Sequence, residues 1–172
     1  LSLYKEDDEQ IIDAFFCKRK WLSSASNVIN FTFDFNPFNS VQSIDKMNWF
    51  FNQYYPYSKL LLTVPNVRVY KTINKKRVRV IDFENYVRFV DESYKILNDK
   101  NNKPIFVPIS MKMGLKELTQ LIEHYLKMQR YNLWFDFEGR PINENTLGRL
   151  RHIFTFLKDN EAFDNVVSYF TN

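Results

Sequence analysis

The feature that most constrains the fold is a series of five short runs of apolar residues, each a candidate β-strand. Val28–Phe35 alternates in polarity and is rich in aromatic and β-branched side chains, as strands are. Leu60–Val64 and Ile105–Ile109 are continuously apolar, which is typical of strands buried on both faces. Leu133–Phe137 and Val166–Phe170 complete the series.

Segments with the period of an amphipathic helix separate these runs. Apolar residues recur in them every three or four positions, as on one face of a helix. The clearest of these stripes consists of Phe83, Val87, Val90, Tyr94 and Leu97. Asp82 and Asn143 precede two of the segments and are candidate N-caps. An opening segment, Asp7–Leu22, is acidic at its start and basic at its end, which also favours a helix.

Strands that alternate with helices form βαβ units with parallel strands. Two architectures fit this pattern: part of a (β/α)8, TIM-like barrel, or an open five-stranded doubly wound sheet. A complete barrel normally takes about 250 residues, and this chain has 172. The chain starts at Leu1 rather than Met and stops just after a strand-like run, which favours a piece of a longer barrel. We therefore expect residues 1–172 to form one α/β domain of TIM-like type.

The composition excludes several functional classes. A single cysteine rules out an internal disulfide framework, and the two histidines fit no zinc-finger spacing. Three glycines cannot build a glycine-rich phosphate loop. No apolar run approaches the roughly 18 residues that cross a bilayer, and no signal peptide opens the chain. We therefore expect a cytoplasmic protein that does not associate with membranes.

Three acidic residues lie where parallel α/β proteins bind ligands, beyond the carboxyl ends of the strands. Asp136 and Glu138 are two positions apart, so on one strand their carboxylates would share a face, about 6–7 Å apart. Such a pair suits acid/base catalysis or a divalent cation. Asp34 follows the first strand in the same Phe-Asp-Phe context and is the third candidate catalytic residue. The alternative is structural: Asp136 bonds a loop amide and Glu138 is solvated.

Other polar residues follow the predicted strands. We expect four of them at the same edge of the sheet: Asn36, Asn66, Ser110 and Lys112. Arg140, shortly after the fourth strand, is a candidate anion-binding residue.

Residues 67–81 depart from the βα pattern, because apolar and basic residues alternate there around a polar centre. This pattern predicts a β-hairpin inserted between two βα units. Its region contains six basic residues and no acid: Arg68, Lys71, Lys75, Lys76, Arg77 and Arg79. We expect the hairpin to bind an anion or a phosphate backbone. Alternatively, its lysines protect exposed strand edges from pairing.

Two classes of function follow from these residues. The first is an enzyme domain that acts on a polar or anionic sugar or nucleoside substrate by carboxylate acid/base or metal-assisted chemistry, with a divalent cation as its potential cofactor. The second is a nucleic-acid-binding module that uses the hairpin without catalysis. The net charge of +4 permits nucleic-acid contact but does not predict it. A third interpretation is a fragment that associates with the remainder of a longer chain or with further copies of itself.

Overall fold

A computed structural model of the protein describes residues 28–37, 43–99, 102–139 and 142–171. The predicted opening helix, Asp7–Leu22, lies outside these residues, and so does Arg140. The described chain alternates strands and helices, with short 3-10 turns at Tyr55–Tyr57 and Phe163–Asn165. In order, the elements are β1 (Thr32–Phe33), α1 (Ser43–Tyr54), β2 (Leu62–Thr63), β3 (Asn66–Val67), β4 (Tyr70–Ile73), β5 (Lys76–Arg79), α2 (Phe83–Asn98), β6 (Ile105–Ser110), α3 (Leu115–Lys127), β7 (Asn132–Asp136), α4 (Glu144–Asp159) and β8 (Val167–Thr171).

The helices predicted from apolar periodicity are confirmed for the described residues, together with two of their caps. The Asp82 carboxylate accepts a hydrogen bond from the Asn85 N–H at 2.8 Å, where α2 begins. The Asn143 side chain accepts from the Thr146 N–H at 3.1 Å at the start of α4. Each cap satisfies one of the backbone donors that the first turn of a helix leaves without a partner.

The first two predicted strands differ from their predicted bounds. Only Thr32–Phe33 of the Val28–Phe35 run pairs as a strand. The second strand is interrupted at Pro65 and resumes as β3, because the chain changes partners there. The Val64 N–H bonds the Phe106 carbonyl, whereas the Asn66 N–H bonds the Phe31 carbonyl on the opposite side.

The sheet is parallel and curled, and it forms a half-barrel. Strands β2, β6, β7 and β8 are neighbours in that order, and all three pairs are parallel. β3, which continues the course of β2, pairs in parallel with β1. The order follows the chain without the reversal that defines a doubly wound sheet. The curl brings the segment before β1 close to β8, where the Asn30 Nδ2 donates to the Tyr169 hydroxyl at 3.0 Å.

The two faces of the sheet are covered differently. Helices α2, α3 and α4 pack on one face of the sheet. The strand residues that face these helices include Val107, Ile109 and Phe135. On the other face, Phe106 and Trp134 are buried outside that core. Among the described residues, no helix is both long enough and apolar enough to span a membrane.

Candidate functional site

The interruption between β2 and β3 opens a gap beside β6, at the level of Pro108. The backbone pairing of β2 with β6 stops after Val64, so the Pro108 carbonyl receives no backbone donor from that strand. The Tyr125 hydroxyl replaces it and donates to this carbonyl at 2.7 Å. The single proton of the Tyr86 hydroxyl is shared between this carbonyl, at 3.3 Å, and Asn66 Oδ1, at 2.8 Å. Pro108 has no backbone N–H to continue the ladder on this side, and the pairing of β2 with β6 ends there.

Asn66 fills the gap and connects it to Asp136. Its Nδ2 donates to Asp136 Oδ2 at 2.8 Å, and its Oδ1 accepts from the Tyr86 hydroxyl at 2.8 Å. Asp136 Oδ2 also accepts from Thr32 Oγ1 at 2.9 Å. The Asp136 carboxylate is thus buried but supplied with donors from other elements, which compensates for its desolvation.

Burial raises the pKa of the Tyr86 hydroxyl well above its usual range, and the neighbouring Tyr125, Asp136 and Glu138 add to the shift. The pKa of Tyr125 is also raised well above its usual range, mainly by burial. Both hydroxyls therefore remain protonated at neutral pH and serve as permanent donors.

Glu138 occupies a strained turn directly beyond β7. Its φ of 53° is uncommon for a residue with a Cβ, and its N–H donates to Asp136 Oδ1 at 2.8 Å. The side chain is fully buried and accepts from Ser110 Oγ through Oε1 at 2.6 Å. Its Oε2 lies 2.6 Å from Lys112 Nζ and 3.6 Å from Arg68 Nε. The Glu138 carboxylate therefore lies against two basic side chains from the ends of different strands, Arg68 after β3 and Lys112 after β6.

The prediction that Asp136 and Glu138 share one face was argued from strand alternation, which does not reach Glu138. Strand β7 ends at Asp136, and the left-handed turn at Glu138 removes the alternation on which that prediction depended. The structural alternative holds for Asp136, which does accept a loop N–H. It is wrong for Glu138, which is buried and ion-paired rather than solvated.

The predicted hairpin is present as the antiparallel pair β4–β5. Its turn residues Asn74 and Lys75 have φ values of 49° and 63°, the two positive angles of a type I′ turn. The Arg77 guanidinium lies 3.7 Å from the centre of the Tyr70 ring and donates to the Lys112 carbonyl at 3.2 Å. Arg79 pairs with Glu117 on α3 at 2.6 Å. These contacts attach the hairpin to the loop after β6 and the start of α3.

A pocket of about 490 Å³ lies between the hairpin and the carboxyl ends of the parallel strands. Four of the described residues that line it are basic and one is acidic. The lining consists of Asp34, Arg68, Tyr70, Lys71, Thr72, Arg77 and Lys112. The volume lies within the range of about 300–1,000 Å³ that is typical of small-molecule sites. The surplus of cations means that the pocket attracts anions.

The structure brings together most of the residues that the strand-end rule selected. Asn66, Ser110, Asp136 and Glu138 form one buried network, and Lys112 joins it to the pocket. Other predicted residues lie apart. Asn36 is half-buried and is absent from the described pocket lining, as are the exposed Lys75, Lys76 and Arg79.

Sequence analysis missed the contributions of Thr32, Tyr70, Tyr86 and Tyr125. Tyr70 alternates with the basic residues of the hairpin. That pattern could have predicted the stacking of the Arg77 guanidinium on the Tyr70 ring. The tyrosines of α2 and α3 carried no such signal, because apolar periodicity treats a tyrosine as an ordinary core residue.

Within the described ranges, no group of three or more His, Cys, Asp or Glu side chains is arranged to hold a metal ion. Glu138 has Lys112 as its counter-ion, so that carboxylate is already neutralised. The divalent cation considered from the sequence remains a prediction.

The fold and the site define an α/β protein with parallel βα units and a basic pocket at the carboxyl ends of its strands. No protein-family model matches the chain, and a comparison with curated proteins found no match. The geometry of the pocket is therefore the basis for a functional proposal.

Proposed function

We propose that this chain is an enzyme domain of the TIM-like barrel type, of which the half-barrel is a part, and that it acts on a polar, anionic sugar or nucleoside substrate. The observation that carries the proposal is the pocket with four basic residues at the carboxyl ends of parallel strands. Ligands of βα barrels bind at that edge. Charge-assisted hydrogen bonds from arginine and lysine are among the strongest contacts that proteins offer to anions.

The residues of the pocket divide into two roles. Arg68, Arg77 and Lys112 bind the anionic group of the substrate. Asp34 is the exposed carboxylate of the lining, so it is the candidate acid/base group. The buried Asp136 and Glu138 act as positioning residues, because Glu138 holds Lys112 and Asp136 holds the turn that carries Glu138.

Binding is tested first, by calorimetric titration with inorganic phosphate. We expect Arg77→Gln to weaken phosphate binding about tenfold or more, the effect of one charge-assisted contact of roughly 1.5–3 kcal/mol. Lys158→Gln is the matched control, because Lys158 is exposed in the last turn of α4, which leads to the start of β8 at the opposite edge of the sheet. Equal affinities for the two variants would contradict the proposal.

Turnover is tested second, by NMR spectra of sugar phosphates and nucleoside monophosphates incubated with the protein. We expect Asp34→Asn to abolish the turnover found with the unmodified protein while it preserves binding. Binding without turnover of any compound in the set would leave an anion-binding domain and reject the enzyme.

Nucleic-acid binding is the second candidate function, and the outer end of the hairpin favours it. Lys71, Lys75 and Lys76 are exposed there and continue the positive charge of the pocket. If the six basic residues of the hairpin region each neutralise a phosphate, duplex affinity falls with salt at a log–log slope of about −5. A labelled duplex whose affinity is unchanged by salt, or unchanged in Lys75→Gln/Lys76→Gln, would reject this function.

A further inference from the structure

Three of the four cations of the pocket are oriented by other side chains or backbone groups, and they point to a specific kind of anion. Arg68 follows β3, Arg77 lies on β5 and Lys112 follows β6. Arg68 and Lys112 face the same oxygen, Glu138 Oε2, at 3.6 and 2.6 Å, and Arg77 contacts the Tyr70 ring and the Lys112 carbonyl. Donors that are fixed before the ligand arrives lose less entropy when it binds.

The Nε of Arg68 also lacks a hydrogen-bond acceptor. It is buried and makes no hydrogen bond to any described residue, since the nearest carboxylate oxygen, Glu138 Oε2, is 3.6 Å away. A buried donor without an acceptor costs free energy. The Arg68 side chain as a whole is 42% exposed, and its exposed part is what an anion within the pocket can contact.

The charges of the pocket favour a dianion. Its lining carries four basic side chains and the carboxylate of Asp34, and the buried Glu138 adds a second negative charge. Among these side chains two positive charges are left uncompensated; the buried Asp136 carboxylate, which accepts hydrogen bonds from Thr32, Asn66 and the Glu138 N–H, is not part of the lining and not part of this count. A phosphate monoester carries close to two negative charges above pH 7, whereas a phosphodiester carries one.

We propose that the pocket recognises a terminal phosphate, the monoester dianion of a small sugar or nucleoside phosphate, and discriminates against phosphodiesters. This inference rests on the proposed function, whose anionic substrate it specifies. A monoester presents three terminal oxygens to the three oriented cations, and a diester presents two. The hairpin, which is attached through Arg77 and Arg79, closes one side of the pocket. The pocket therefore accepts only the terminal group of a ligand.

The test compares monomethyl phosphate with dimethyl phosphate at pH 8 and constant ionic strength, by NMR titration of the full chain. These probes differ by one methyl group and one charge. We expect the monoester to bind about tenfold more tightly or better, the effect of one additional charge-assisted hydrogen bond. We expect Arg68→Gln to reduce monoester affinity by a similar factor and to leave the weak diester affinity nearly unchanged.

Arg68→Lys and Lys158→Gln are the controls. Arg68→Lys keeps the charge but loses the guanidinium, so it separates the geometry of the contact from its charge, and a thermal melt of each variant shows that it is folded. Equal affinities for the two probes would overturn this inference and leave the anion-binding function intact. If neither probe binds, nor inorganic phosphate, the proposed function fails as well.

Discussion

Asp136 and Asp34 are two aspartates at the ends of different strands, and their surroundings differ. Asp136 is buried and accepts hydrogen bonds from Thr32, Asn66 and the Glu138 N–H. Asp34 is exposed and lines the pocket. The first carboxylate therefore contributes to folding and the second is available to a ligand.

Substituting Asp136 by Asn should cost stability. An amide replaces one acceptor oxygen by a donor, which leaves at least one of the three donors without a partner. We expect Asp136→Asn to lower the free energy of unfolding by about 2–3 kcal/mol, measured by urea denaturation. Asp34→Asn is the matched control and should leave the urea midpoint unchanged. Equal midpoints for the two variants would show that the Asp136 network does not stabilise the fold.

The buried tyrosines make stability sensitive to alkaline pH. The folded-state pKa values of Tyr86 and Tyr125 are raised above the ordinary value of 10.0. The unfolded chain therefore loses these protons first, so their contribution is complete below pH 10 and is lost as pH rises above it. We expect the melting temperature to fall above pH 10, and to fall less in Tyr86→Phe.

Absorbance at alkaline pH provides the check on this prediction. The far-ultraviolet circular dichroism, followed over the same pH range, reports whether the fold is still native. Tyr86 and Tyr125 should ionise only as that signal is lost. Ionisation of every tyrosine in one step, with the native spectrum retained, would contradict the assignment.

At the scale of elements, the sequence predicted what depends on local pattern. Helices α2, α3 and α4 follow from apolar periodicity, and β4–β5 follows from alternation around Asn74. The split of the second strand was not predictable, because it depends on a tertiary contact. The Asn66 N–H bonds the Phe31 carbonyl instead of a carbonyl of β6. The left-handed turn at Glu138 was also missed, since only the tertiary contacts with Ser110 and Lys112 hold it there.

The hairpin turn can be improved by a single substitution. Lys75 has a φ of 63°, which glycine adopts without steric cost, and Asn-Gly is the preferred pair for a type I′ turn. We expect Lys75→Gly to stabilise the hairpin by about 0.5–1 kcal/mol. Slower amide exchange at Lys71 and Val78, which form a hydrogen-bonded pair of the hairpin two residues along from Val69 and Val80, is the measurement. Lys76→Gly, in the following strand, should accelerate exchange instead. Acceleration in both variants would contradict the assigned turn.

At the scale of the whole molecule, the half-barrel leaves β8 as an edge. In the described part of the sheet, β8 pairs with β7 on one side only. Its sequence, Val167–Thr171, contains no charged residue and no proline, and Val167 and Phe170 are about half exposed. Proteins usually protect such edges with charges, prolines or a covering element. Phe163, in the 3-10 turn that precedes β8, adds a further half-exposed apolar side chain.

An uncharged strand edge beside apolar surface should pair with the same edge of a second copy. We expect the 172-residue chain to self-associate with increasing concentration in sedimentation velocity. Val167→Lys should weaken association about tenfold or more, because burying an unpaired charge costs well over 1.4 kcal/mol. Leu60→Lys is the matched control, since Leu60 is 54% exposed and Val167 is 53% exposed, but Leu60 lies outside β8. A monomer at every concentration, or equal weakening by both substitutions, would show that β8 is not the associating edge.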